Sequence, residues 1–343
     1  VGAGIAQAQH LQLTPNHDEA GTALTNTIPA GRQSCGKCGG SNCEECRGLF
    51  NECRDCRRIS YFAFTGFDSW RGVADGSYQD NHGVHTGLNA GGPLWEDYGL
   101  GWQLGGSFGI YDWNGRLSSF DENDESSQQA FVTAGLFRRA GESSRWSGGM
   151  VLDQMAANNF GVLSNEPYLL QLRYQLAFAF STRNELGFWA TNELNHDSQS
   201  PSGIPIVNRA VNQANIFWHH KYDVGADTWF YLGVPTNGRV GPPGFFDEIA
   251  PGADAGTLGD FVFGGMLSAP FNDRLAAYGN FAYLNPTADP VVAAEEESFN
   301  VSIGLAWYPG GNARSRTVAG RTWMPYLPVA NNGTFLIDQN ITF

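Results

Sequence analysis

Leu170-Gln171-Leu172-Arg173-Tyr174-Gln175-Leu176-Ala177-Phe178-Ala179-Phe180 is the stretch that decides the fold. Leu170, Leu172, Tyr174, Leu176, Phe178 and Phe180 form one face, and Gln171, Arg173, Gln175, Ala177 and Ala179 form the other. A strand places successive side chains on opposite faces, so strict alternation over this length reads as one β-strand long enough to cross a bilayer on a tilt. Phe299, Val301, Ile303, Leu305 and Trp307 repeat the pattern opposite Ser298, Asn300, Ser302, Gly304 and Ala306. Tyr98, Leu100, Trp102, Leu104, Phe108 and Ile110 repeat it again, with Gly106 the one lapse on the apolar face.

The second face separates two β-architectures. A soluble sandwich buries its apolar face and carries many charges and threonines outside. Here the second face is mostly Gly, Ala, Ser, Gln and Asn. Small, neutral-polar residues suit a curved lumen, and aromatic and aliphatic residues suit lipid. Composition agrees: of 343 residues, 44 are Gly, 10 Trp, 12 Tyr and 23 Phe, and only 16% are charged. Glycine is poor in helices and aromatics are good in strands. Mean hydropathy is −0.29, and no stretch approaches the roughly 18 apolar residues of a membrane helix. A helical membrane protein is excluded, whereas a barrel is not, because only alternate residues face lipid.

The pattern predicts strands near 59–67, 83–91, 98–112, 128–139, 145–154, 168–181, 185–195, 209–221, 227–235, 259–269, 273–284 and 297–308. Connections at 141–143, 182–184, 223–226 and 270–272 are tight. Those at 68–82, 113–127, 155–167, 196–208, 236–258 and 285–296 are long. Sorting short turns to one end and long loops to the other is the asymmetry of outer-membrane barrels, with the short turns periplasmic. Trp95, Tyr98, Trp146, Tyr222, Trp229, Trp307 and Tyr308 fall near the short-turn end, and Trp70 and Trp113 near the other, as interface girdles do. The expected fold is all-β: a transmembrane antiparallel up-and-down barrel over 58–343, preceded by a short Cys-rich segment.

Twelve strands return the chain to the periplasm near Tyr308. A further pair at 315–324 and 334–343 would make fourteen. Otherwise 310–343 is an extension able to dock in the lumen, and twelve is the narrower expectation. Phe335, Ile337, Ile341 and Phe343 alternate toward a terminal aromatic, resembling the sorting signal that barrel-assembly machinery recognises on outer-membrane barrels; Phe343 is its candidate anchor. The stretches 308–315 (YPGGNARS) and 323–333 (WMPYLPVANNG) resemble the C-terminal region of an uncharacterised porin-like barrel family of Planctomycetes, with the likeness running from about Ile59 onward. That resemblance implies an outer-membrane barrel and no catalytic residues.

Residues 1–8 read as the tail of a signal peptide, with Ala6-Gln7-Ala8 a small-residue cleavage site; a plain Ala/Gly-rich terminus is the alternative. Residues 9–34 are polar and aperiodic, and read as a flexible leader. Residues 35–57 hold every cysteine as three C-x-x-C pairs: Cys35 with Cys38, Cys43 with Cys46, and Cys53 with Cys56. In an oxidising periplasm an even count suits disulfides. Two such pairs also supply the thiolates of a zinc or iron site, and C-x-x-C serves redox exchange. The spacing leaves all three open. Lys37, Arg47, Arg54, Arg57 and Arg58 make this segment locally basic, fit either for an acidic envelope partner or for solvent.

A net charge of −14 argues against nucleic acid or an anionic lipid surface as the main partner. The expected partners are outer-membrane lipid and the assembly machinery, with homo-oligomerisation left open. Arg145, Asp153, Gln171, Arg173, Gln175, Glu193, Gln213, Asn215 and His219 are expected to line the lumen, where opposed charges would screen solutes. The 236–258 loop is a candidate constriction, and the acidic run at 121–125 a weak Ca²⁺ candidate. Passive diffusion of small solutes is the leading function, and a closed barrel with the Cys-rich segment as envelope anchor is the alternative. A barrel hydrolase would need Ser and His together on the lipid-facing wall. His82, His85, His219 and His220 are the histidines to test, and no nearby serine completes a recognisable arrangement in the sequence.

Overall fold

The computed structural model describes residues 59–72, 80–112, 126–141, 144–161, 163–203, 205–236, 259–286, 298–318 and 323–341. Residues 1–34, expected to be a signal-peptide remnant and a leader, lie outside them, as do Trp113, the acidic run at 121–125, nearly all of the 236–258 loop and Phe343. Cys35, Cys38, Cys43, Cys46, Cys53 and Cys56 lie outside them as well, and with them the choice among disulfides, a zinc or iron site and redox exchange.

Twelve strands close into one antiparallel barrel. They are β1 (Ser60–Arg71), β2 (Asn81–Trp95), β3 (Leu100–Tyr111), β4 (Ser127–Arg138), β5 (Trp146–Asn158), β6 (Tyr168–Ala179), β7 (Asn184–Glu193), β10 (Gln213–Lys221), β11 (Asp227–Pro235), β12 (Gly259–Pro270), β13 (Leu275–Pro286) and β14 (Ser298–Trp307). Each pairs with its neighbour in chain order, and β1 closes on β14 in a register running from Ala63 opposite Trp307 to Arg71 opposite Phe299. Closure removes the unpaired sheet edges that lipid could not satisfy. Three short strands stand apart from the barrel. Antiparallel β8 (His196–Gln199), β9 (Ile206–Ala210) and β15 (Ile337–Ile341) form a small sheet in the order β15-β9-β8. The fourteen-strand alternative is therefore not formed. The segment expected as one strand at 209–221 is instead β9 and β10, divided at Val211-Asn212.

The short turns are built by local chemistry. Ser181 Oγ accepts from the backbone N–H of Arg183 and Asn184 between β6 and β7, and Asn272 Oδ1 accepts from Arg274 and Leu275 between β12 and β13. Side chains that mimic a backbone turn in this way fix a tight reversal. Gly225 closes the β10–β11 turn at φ +86°, a conformation L side chains rarely adopt.

Outward residues keep the alternation read from sequence. In β6, Leu176 is exposed while Gln171, Arg173, Gln175 and Ala177 are buried. Leu88, Leu104, Leu186, Ile216, Leu232 and Ile303 are half or more exposed, on strands distributed around the wall. Soluble monomers rarely leave contiguous apolar patches beyond a few hundred Å² in water, and a belt around a closed barrel fits hydrocarbon instead. Trp95, Tyr98, Trp146, Tyr222 and Trp307 are exposed near the short-turn end, as a girdle requires. Three aromatics expected in girdles turn inward instead. Trp70 stacks on Phe160 at 5.3 Å, Trp229 on Phe217 at 4.5 Å, and Tyr308 on Phe62 at 5.1 Å. Their strand parity points them at the lumen, and nearness to a turn does not decide facing.

Candidate functional site

The lumen is occupied by the chain's own C-terminal segment. After β14 ends at the short-turn end, residues 323–336 run up the interior until β15 pairs with β9 in the long connection between β7 and β10. Met324, Tyr326, Leu327, Ala330, Phe335 and Leu336 are all buried. Pro325 and Pro328, which a fourteen-strand barrel would have placed in the loop between its last two strands, belong to this irregular path.

Barrel side chains satisfy the segment's backbone along its course. Arg139 donates to the carbonyls of Met324 (3.1 Å) and Pro325 (2.8 Å). Gln103 Oε1 accepts from the N–H of Tyr326 (2.9 Å) and Leu327 (3.2 Å), and its Nε2 donates to the Leu327 carbonyl at 2.5 Å. Arg173 donates to the Pro328 carbonyl (2.6 Å), Asn89 Oδ1 accepts from Val329 (2.7 Å), and Thr133 Oγ1 accepts from Ala330 (3.0 Å). Gln171 donates to the Thr334 carbonyl at 3.1 Å, and the N–H of Val211 to that of Leu336 at 2.8 Å. A backbone without ladder partners must find them elsewhere when buried, and the polar wall residues supply them.

The wall also makes room. A Cβ at Gly105 would lie 2.9 Å from Val329 Cβ, and one at Gly91 2.6 Å from the Trp323 carbonyl. Glycine is required at these two points because the segment passes at backbone distance.

Of the residues expected to line the lumen, Asp153, Gln171, Arg173, Gln175, Gln213, Asn215 and His219 face inward and are buried. Glu193 sits half-buried at the long-loop end of β7, where its N–H donates to Asn212 Oδ1. Arg145 does not line the lumen. It is exposed in the β4–β5 turn, because β5 begins one residue later at Trp146.

The charges do not oppose one another across open water. Arg173 and Asp153 sit on adjacent strands with their side chains 5% and 0% exposed, Nε 2.9 Å from Oδ2 and the guanidinium donating to Oδ1 at 3.1 Å. Thr133 and Gln171 also donate to Asp153, at 2.5 and 3.0 Å. This cluster braces the wall behind the segment instead of setting up a field across the lumen. His219 Nδ1 meets Glu185 Oε2 at 3.0 Å, and Ser147 donates to the other carboxylate oxygen at 2.7 Å.

Sequence reasoning missed Gln103, Asn89, Thr133 and Arg139, which hold the segment together with Arg173 and Gln171. The first three sit in inward-facing rows whose parity is readable, and Arg139 follows the last residue of β4. Nothing local marks them as partners of residues 185 to 240 positions away. Sequence reasoning also missed a serine beside His82: the β1–β2 register sets Ser69 opposite His82, and their Oγ and Nδ1 are 2.9 Å apart on the outer wall. A nucleophilic serine needs a third group, an acid or an amide, to orient the histidine from its other ring nitrogen. The acid at hand, Asp112, accepts from the His82 backbone N–H at 3.4 Å, so no complete triad is assembled among the described residues.

The segment fills part of the lumen. Beside it remains a cavity of about 260 Å³ between residues 324–334 and the wall, reaching from Asp68 and Tyr111 in the long-loop half to Lys221 and Tyr308 at the short-turn end.

The fold and this interior define a class: membrane-spanning β-barrels whose lumen carries an internal segment. Within that class the chain belongs to a family of unknown function (DUF6666), matched over residues 60–337. No curated protein matches the sequence. Among solved structures the chain is similar to the NanC porin (9% identity, TM-score 0.41, covering 72% of this chain and 98% of that one). It is likewise similar to an outer membrane channel from Pseudomonas putida F1 (12% identity, TM-score 0.42, 73% and 94%) and to outer membrane phospholipase A from Escherichia coli (10%, 0.35, 73% and 96%). Such distant likenesses assign neither a solute nor a reaction.

Proposed function

We propose that this protein is an outer-membrane channel of porin type whose bore is narrowed by its own C-terminal segment, so that it passes only small solutes. The observation that carries the reading is the segment itself, hydrogen-bonded to the wall over residues 324–336 and leaving a cavity along one side. A filled barrel of twelve strands would have no such space. An open one would have no reason to place Gln103, Asn89 and Thr133 where they cap a buried backbone.

Planar-bilayer recording and liposome permeation with solutes of graded size test this. The expected result is small stepwise currents, entry of glycerol-sized solutes and exclusion of trisaccharides. Large steps with free trisaccharide entry would show that the segment does not narrow the bore. The second reading is a closed, structural barrel, favoured by the packing of Phe131, Met155, Phe160, Phe335 and Ile337 into one buried apolar cluster. A folded but silent protein would select it.

A further inference from the structure

Asp68 lies on the cavity side of β1 and is 1% exposed. Its Oδ1 accepts from Asn300 at 2.6 Å, and its Oδ2 accepts from the Tyr111 hydroxyl at 2.7 Å and from Asn332 of the C-terminal segment at 3.1 Å. A carboxylate offers about four acceptor directions, so one remains. Among the described residues no lysine or arginine lies within 4 Å of it. The nearest nitrogen of opposite tendency is His85 Nδ1, 3.8 Å away, while His85 Nε2 is engaged with the Tyr278 hydroxyl at 2.5 Å. Burying a negative charge without a counter-charge is costly even when it is hydrogen-bonded.

Two more oxygens point the same way. The register sets Ser302 opposite both Asp68 and Asn280, so the three lie side by side on β1, β14 and β13. Ser302 and Asn280 both border the cavity; Ser302 is 3% exposed, and its Oγ and Asn280 Oδ1 are buried with no hydrogen-bond partner. The adjoining wall is aromatic, with Phe64 edge-on to Tyr278 at 5.8 Å and to His85 at 5.6 Å. A carboxylate and two vacant acceptors beside ring faces ask for a donor-rich cation. A bare metal ion would want more hard oxygens than one carboxylate and two neutral groups. An ammonium group suits both the acceptors and the rings.

We infer that this end of the cavity is a binding site for a small organic cation, a primary ammonium carried on a ring or short apolar stem, with Asp68 as its counter-charge and Ser302 and Asn280 as acceptors. The stem lies against Phe64 and Tyr278. As the solute class of the passage this rests on the channel reading; as a binding site it stands alone, and binding can be measured without permeation. The protein's net charge of −14 would favour approach of cations.

The test is calorimetric titration of the full, detergent-solubilised barrel at pH 8 with three probes of matched size: benzylammonium, benzyl alcohol and benzoate. Benzylammonium is expected to bind at least tenfold more tightly than either of the others. Asp68→Asn should abolish that preference while heat-modifiable gel migration shows the barrel folded. Ser302→Ala should weaken benzylammonium several-fold and leave benzyl alcohol unchanged. Equal binding of the three probes by the wild type would overturn the site, as would a preference that survives Asp68→Asn. Should Asp68→Asn fail to fold, the wild-type panel and Ser302→Ala decide. Amine binding with no current in bilayers would retain the site and remove the channel; current with no amine preference would do the reverse.

Discussion

Replacing Gln103 by leucine should open the lumen while leaving the strand pairing of the wall intact. Gln103 faces inward from β3 and makes three hydrogen bonds to the C-terminal segment, two accepted from Tyr326 and Leu327 N–H and one donated to the Leu327 carbonyl. Leucine is close in size and apolar, so the docked segment would keep those three backbone groups buried and unpaired. When the segment is undocked, water satisfies them in either protein. The whole loss therefore falls on docking. At about 0.5–1.5 kcal/mol net for each bond, docking weakens by about 1.5–4.5 kcal/mol. At about 1.4 kcal/mol per decade this is a shift of roughly 10- to 1000-fold in the ratio of docked to undocked segment. The β2–β3 and β3–β4 ladders do not use the Gln103 side chain, so the barrel should stay folded, with its stability to urea lowered by no more than the lost docking energy. Single-channel recording reads the ratio as the frequency and duration of large-conductance events. Leu104→Ala, one residue on and facing outward, is the control and should leave those events unchanged. Gln103→Leu traces indistinguishable from those of wild type and control, in a folded barrel, would refute the claim that this segment narrows the bore.

Other expectations follow from the same geometry. Arg173→Met should destabilise the barrel by about 3–5 kcal/mol, because Asp153 stays buried without its cation; urea unfolding in detergent measures it, and adding Asp153→Asn should recover part of the loss. Gly105→Ala would place its Cβ 2.5 Å from Asn89 Oδ1 and 2.9 Å from Val329 Cβ. It should raise the frequency of large-conductance events, since the segment is the softer side of that contact. Ile303→Lys, on the lipid face of β14, should cost about 2–4 kcal/mol of folding in bilayers if that residue lies near the midplane. The same change should matter far less in a detergent micelle.

The architecture was legible because its cause is local. Alternation has a period of two, and a residue's facing follows from counting along its own strand. Leu170–Phe180 therefore announced both its lipid face and the inward row of Gln171, Arg173 and Gln175. The tight turns were readable for the same reason, since Ser181 and Asn272 fold the chain back using neighbours two or three residues away. Arg145 failed as a lining residue at a strand boundary, where the count has no anchor. Trp70, Trp229 and Tyr308 failed because an aromatic near a turn suits either an interface or a capped interior, and parity decides between them.

The period-two alternation is enough to read a lipid-facing β-wall with a polar inner row, and it favours twelve strands over fourteen without deciding between them. What that row touches depends on contacts between residues far apart in the chain. Residues 323–341 carry the same apolar alternation at Phe335, Ile337 and Ile341 that a closing barrel strand would carry, so pattern alone allowed a fourteenth strand or an insert. The choice rests on partners distant in sequence: Gln103 with Leu327, Asn89 with Val329, and β9 with β15. Twelve strands already close on each other through β1 and β14, which leaves no open edge for another pair. The lumen, where polar wall side chains match the segment's backbone donors and acceptors, is where the remaining chain is satisfied.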